Sequence, residues 1–175
     1  METTPVIIRP ETKADYEVIR KVNKKAFKGK SESKLVDAVR EGDGFIPELS
    51  LVAVKDGAVV GHILFSPIII KGETETPALA LAPMSVFPEF QNQGIGTALV
   101  KHGLEECRRL GHKLVVLVGH EEFYPRFGFV PAGAKGLTLP FEAPPEVFMV
   151  LELAPGALNG VAGDVVYPRA FHDID

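Results

Sequence analysis

Cysteine is nearly absent from this 175-residue chain: Cys107 is the only one, so neither an intrachain disulfide nor a paired-cysteine metal site can form. Positive charge is not in excess either. Nineteen Lys and Arg against 23 Asp and Glu leave a net charge of −4, which argues against a broad electrostatic attraction to nucleic acid or anionic membranes. No apolar run reaches the roughly 18 residues of a membrane span. The first ten residues, Met1 to Pro10, lack the basic region, apolar stretch and cleavage site of a secretory leader, so a cytoplasmic protein is expected. No His-Glu-x-x-His spacing occurs, so no metal is expected, and no Gly-x-Ser-x-Gly elbow offers a serine nucleophile. His172, Asp173 and Asp175 are metal-like only by proximity in sequence. Repeats and low-complexity tracts are also missing. A single domain over 1–175 is expected, with a core over about 5–153 and an extension, 154–175, packed on it.

What is present is the composition of an ordinary globular protein, 46% hydrophobic and 24% charged. Val6 to Arg9 reads as an opening strand closed by Pro10. From Thr12, a candidate N-cap with Asp15 three residues on, the period changes. Tyr16, Ile19, Val22, Asn23, Ala26 and Phe27, and then Leu35, Val36 and Val39, recur at helical spacing, predicting two amphipathic helices. Leu49–Val54 and Ala58–Ile70 flank Lys55-Asp56-Gly57, a hairpin signal, and Ala78–Val86 completes an antiparallel series. A helix bearing Ile95, Ala98, Leu99, Cys107 and Leu110 on one face follows. Leu114–Val118 is an aliphatic strand suited to burial on both faces. A short helix at Glu121–Phe127, a strand from Phe129, a Gly- and Pro-rich loop and a strand at Val147–Leu153 close the series. The order β-αα-βββ-α-β-α-ββ implies one mixed α/β layer structure.

The most informative junction is Ser85-Val86-Phe87-Pro88-Glu89-Phe90-Gln91-Asn92-Gln93-Gly94-Ile95-Gly96-Thr97. A strand ends in a glycine loop that opens a helix, where the first N–H groups lack intrahelical partners and the dipole is positive. Without a Cβ at Gly94 and Gly96, a phosphate oxygen can approach those amides. A dinucleotide loop would need a third glycine where Leu99 stands, and no Walker string exists. The spacing Gln91-x-x-Gly94-x-Gly96 resembles instead the acetyl-CoA pyrophosphate loop of the GNAT (Gcn5-related) N-acetyltransferase superfamily. Tyr124-Pro125-Arg126-Phe127-Gly128-Phe129 matches that superfamily's later Tyr-x-x-x-Gly-Phe signature. Pro47–Ala53, Gly61–Pro67, Gly163–Tyr167 and Ala170-Phe171 look like the bacterial YhbS-like branch, so the resemblance covers nearly the whole chain.

The resemblance implies a GNAT fold, a mixed and mostly antiparallel sheet flanked by helices. It implies acetyl-CoA as co-substrate and direct transfer to an amine in a ternary complex. Ser85 and Val86 would pair with the pantetheine arm. Gln91, Asn92, Gln93, Gly94, Ile95, Gly96 and Thr97 would wrap the pyrophosphate, and Tyr124 would protonate the departing thiolate. The strand before the loop carries no carboxylate where some members hold their base. His120, at the end of the aliphatic strand, is the best replacement in type, although capping of the next helix or contact with the cofactor explains it equally well. His62 reads as a satisfied core histidine and Cys107 as an inert core thiol. The acceptor, a small-molecule or protein amine, would enter near residues 27–46 and 131–146. The alternative is a catalytically weak acyl-CoA sensor that keeps the loop without needing Tyr124. Pairing into a homodimer through the closing strands or tail is a further expectation.

Overall fold

Period and turn chemistry explain the first elements. The computed structural model describes residues 5–172. Strand β1 (Val6–Pro10) leads through a 3-10 turn, Lys13–Asp15, into helix α1 (Tyr16–Phe27). The expected capping pair is present, with the Thr12 N–H donating to Asp15 Oδ2 at 2.8 Å. Helix α2 (Ser31–Glu41) follows, then β2 (Ser50–Lys55) and β3 (Ala58–Lys71). Asp56 and Gly57 both have positive φ, 51° and 77°, as a two-residue hairpin of matching twist requires. After β4 (Glu75–Val86) and helix α3 (Ile95–Arg109) come β5 (Leu114–Val118), β6 (Val130–Pro131), β7 (Leu137–Thr138), β8 (Phe148–Glu152) and β9 (Gly163–Val166).

The described chain divides into two compact units, and β3 and β4 each contribute residues to both. The first unit comprises residues 5–66, 82–106 and 169–172 of those described. In it β1 pairs antiparallel with β2, Val6 opposite Lys55 through Pro10 opposite Leu51, and β2 with β3. Strand alternation gives the two faces different cover. Val52 and Leu64 pack with Ile19 of α1 and Leu35, Val36 and Val39 of α2, and Ala170 and Phe171 join this core. The intervening residues Leu51 and Phe65 face α3 at Gly103, where an added Cβ would lie 2.5 Å from the Phe65 ring.

In the second unit, residues 67–81 and 107–168, β4 runs parallel to β5, with Leu79 opposite Val115. β5 pairs antiparallel with β8 from Leu114–Glu152 to Val118–Phe148, and β6 adds to β8. Leu114 to Leu117 are buried, as their unbroken aliphatic character requires. Most pairings are antiparallel and helices flank the strands, the α/β class expected. Two strands were not expected. β9 pairs with Ile69–Lys71 of β3 and runs parallel to β7. At two and four residues they are too short to show a period, and only their partners make them strands. Asp173 and Asp175 lie outside the described residues. Among those described, no cluster of three His, Cys, Asp or Glu could hold a metal ion, and no helix is long and apolar enough to cross a membrane.

Candidate active site

The loop after β4 is held by its own side chains. Gln91 Nε2 donates to the carbonyl of Val86 at 3.0 Å, tying the loop back to the strand it leaves. Asn92 and Gly94 then take positive φ, 64° and 85°, and the Ala98 N–H donates to Gly94 O at 3.0 Å as α3 begins. Six backbone N–H groups in a row, those of Asn92, Gln93, Gly94, Ile95, Gly96 and Thr97, find no acceptor among the described residues. Nothing lies within 4 Å of a Cβ placed on Gly94, so the space beside that residue is open. Unpaired amides, a helix dipole and open space together form an anion cradle. The Ile95 side chain is buried and anchors the helix start, leaving only its N–H to the cradle. Gln93 Oε1 accepts from Lys55 Nζ at 3.0 Å, and Lys55 also lies 5.8 Å from the Phe90 ring centroid. This cation at the rim was missed in the sequence, where nothing but its place before the Asp-Gly turn marks it.

Ser85 and Val86, both buried, end β4 beside the loop. They lie so close to β3 that a Cβ on Gly61 would come 2.9 Å from Ser85 O and 3.1 Å from Leu99 Cδ1. The same face-to-face alternation places a polar chain under α1 and α2. Arg40 Nε and Nη2 donate to the two oxygens of Glu11 at 2.8 and 2.9 Å, and Ser50 Oγ donates to Glu11 Oε1. The Arg40 guanidinium also stacks 3.7 Å above Tyr16. His62, fully buried, has its Nε2 2.9 Å from Ser50 Oγ and its Nδ1 without a partner among the described residues, so it is a half-satisfied rather than a satisfied core histidine. Burial, with the nearby Arg40 charge second, pushes its pKa down to about 3.

In the second unit, Tyr124 opens a 3-10 turn, Tyr124–Phe127, with Pro125 at its start. Its ring lies edge-on to Phe123 and Phe129, centroids 5.0 and 5.8 Å away. Gly119 is bare because a Cβ there would sit 2.6 Å from Tyr124 Cε2. The hydroxyl makes no hydrogen bond among the described residues, and burial pushes its pKa up to about 12. His120 has an exposed side chain, while its carbonyl accepts from the Phe123 and Tyr124 N–H groups at 3.1 and 3.3 Å. Nearby in the same unit, where Phe148 pairs with Val118, a groove of about 630 Å³ is lined by Leu137, Leu139, Phe141, Glu142 and Phe148 among others. Ser85, Val86 and the loop thus belong to one unit, Tyr124 and His120 to the other.

Comparison with known proteins supplies the context. Residues 16–129 match the acetyltransferase (GNAT) family model. YhbS of Escherichia coli K12, described as an uncharacterised N-acetyltransferase, is 36% identical over 168 residues, 95% of this chain and 99% of that one. YjhQ of the same organism, described in the same words, is 42% identical over 136 residues, 77% of this chain and 75% of its own length. The crystal structure of E. coli YhbS in complex with CoA superposes with a TM-score of 0.91 at 32% identity, covering 100% of this chain and 96% of that one. A GNAT acetyltransferase from Brucella melitensis in complex with acetyl-CoA gives 0.78 at 35% identity, covering 96% and 99%.

Proposed function

Because the chain belongs to the acetyltransferase (GNAT) family, we propose that it transfers an acetyl group from acetyl-CoA to an amine by direct attack in a ternary complex. The observation that carries this reading is the row of six unpaired N–H groups from Asn92 to Thr97 around the open side of Gly94. A diphosphate fits that cradle in charge and in hydrogen-bond type, and Lys55 adds a cation at its rim. On this reading the end of β4 at Ser85 and Val86 runs beside the thioester arm, and the Val86 N–H, directed away from β3, stabilises charge developing on the carbonyl oxygen. Tyr124 serves as the acid. Its burial keeps the phenol protonated through the neutral range, so its hydrogen is available to the departing thiolate. The groove beside Phe148, with Glu142 on its lining, receives the acceptor, and the carboxylate favours a cationic amine. His120 and a bound water are the two candidates for taking the proton from the nucleophile.

The test is calorimetric titration of acetyl-CoA into the wild type and a Gly94→Glu variant, followed by an assay for CoA thiol release with spermidine, phenethylamine and L-lysine. Micromolar binding lost in the variant, with turnover of at least one amine, is the expected result. Absence of binding to the wild type would overturn the reading. Binding without turnover on any amine would leave a cofactor sensor in its place.

A further inference from the structure

Among the described residues, the buried side-chain atoms without a hydrogen-bond partner are Asn23 Oδ1, His62 Nδ1, Ser66 Oγ and Ser85 Oγ. All four belong to the first unit. Two of them share one place. The Phe87 N–H donates to Val60 O at 2.9 Å, which sets Val60 opposite Phe87 and therefore His62 opposite Ser85 on antiparallel strands. Gly61 faces Leu99 together with Val86, whose Cγ2 would lie 3.4 Å from a Cβ on Gly61. Alternation then turns His62 and Ser85 to the other face, the one carrying Leu64 and α1. Directly opposed residues have Cβ atoms about 5 Å apart. A serine oxygen and an imidazole Nδ1 on such a pair are within reach of one water molecule at ordinary hydrogen-bond distances.

The chemistry of that place is fixed from behind. Ser50 has one hydroxyl hydrogen and gives it to the Glu11 carboxylate, which Arg40 holds in a two-pronged pair. Ser50 Oγ can then only accept from His62, so Nε2 carries the imidazole hydrogen and Nδ1 presents a bare lone pair. We propose that His62 Nδ1 and Ser85 Oγ together bind one water molecule that takes the proton from the attacking amine, which makes both of them positioning residues of the acetyl transfer. This inference rests on the reading that the transfer takes place along Ser85 and Val86. Donating one hydrogen to Nδ1 leaves the water a lone pair for the amine. The nitrogen lone pair forms the bond to the acetyl carbonyl carbon, and the C–S bond breaks with its electron pair on sulfur. The nitrogen's surplus proton passes to the water and on to solvent, the sulfur takes a proton from the Tyr124 hydroxyl, and solvent returns one to the phenolate, so no net proton is gained or lost. His62 orients the water and stays neutral throughout.

The experiment compares Ser85→Ala, Ser85→Thr and Ser66→Ala with the wild type, using the fastest of the three probe amines. Ser85→Ala is expected to lower kcat about 100-fold, the usual scale of a lost proton-transfer partner, while its calorimetric affinity for acetyl-CoA stays within about twofold. Ser85→Thr, which keeps the hydroxyl on a strand residue, recovers most of that loss, and Ser66→Ala turns over like the wild type. In 15N spectra of histidine-labelled protein, His62 is the Nε2–H tautomer and its Nδ1 resonance moves in Ser85→Ala. A Ser85→Ala kcat within about threefold of wild type, an Nδ1–H tautomer, or an Nδ1 resonance indifferent to Ser85→Ala would each overturn the proposal. Failure of the wild type to bind acetyl-CoA would remove the transfer reading and this role with it, whereas normal binding with an unaffected Ser85→Ala would remove this role alone.

Discussion

Replacing Gly103 with alanine sets two physical effects against each other in the middle of α3. An exposed helical glycine gains roughly 0.8–1 kcal/mol on becoming alanine, because the backbone loses less freedom on folding. At this site, however, the new Cβ would lie 2.5 Å from Phe65 Cε2 and 2.8 Å from Cζ. Carbon atoms in ordinary contact sit about 3.5–4.0 Å apart, so helix or ring must retreat by about 1 Å. Phe65 is fully buried, so its ring can move only among close-packed neighbours. Overpacking of this kind costs about 1–3 kcal/mol, so the clash outweighs the propensity gain by about 1 kcal/mol. Urea denaturation should show Gly103→Ala destabilised by about that amount, with a melting temperature lower by roughly 2–4 °C. Combination with Phe65→Leu should be less damaging than the sum of the two single changes, because the smaller side chain vacates the contested volume. A Gly103→Ala protein more stable than wild type by about 1 kcal/mol would refute the packing of α3 on β3 as described.

Arg40→Met should cost about 3–5 kcal/mol in urea denaturation by stranding the buried Glu11 carboxylate, and Glu11→Gln plus Arg40→Met together should recover much of it; equal losses in the single and double variants would argue against the pair. Because His62 is held at about 3 when folded and near 6.5 when unfolded, the unfolded state alone binds its proton between those values. Its contribution is therefore intact above pH 6.5 and is lost as pH falls from there toward 3, at about 1.4 kcal/mol per pH unit. Denaturation curves collected across that window should lose the corresponding slope in His62→Gln. Tyr124→Phe should lower kcat by about 10²-fold or more with acetyl-CoA affinity unchanged, read as CoA thiol release, and equal turnover would sink the acid role.

The sequence is most legible where residue type alone decides conformation. Asp56-Gly57 fixes a turn, helical spacing fixes α1 and α2, and Gln91-x-x-Gly94-x-Gly96 fixes the strand-to-helix loop. The polar chain from Arg40 to His62 is invisible at that level, because Glu11, Arg40, Ser50 and His62 come from four separate segments and only the pairing of β2 with β3 and the packing of α2 bring them together. His62 was misread for the same reason: an apolar strand context says that it is buried, not which of its nitrogens is satisfied. β7 and β9 escaped because strands of two and four residues carry no alternation to read, and Lys55 because its partner Gln93 is 38 positions away.

The closing segment of the chain has a consequence for the order of assembly. β9 pairs Val166 with Ile69 and Asp164 with Lys71, and Ala170 and Phe171 pack on the core formed by α1 and α2. Each compact unit therefore takes material from a stretch that follows all its other elements in the chain. Closing so long a loop carries an entropic penalty that rises only slowly with length, but the contact cannot begin until its second strand exists. While the chain is still being made, the outer edge of β3 at Ile69–Lys71 has no neighbour from β9, and an unpaired edge is a place where another strand can add. A nascent molecule, or one cut before Gly163, would thus expose an adhesive border that β9 otherwise covers.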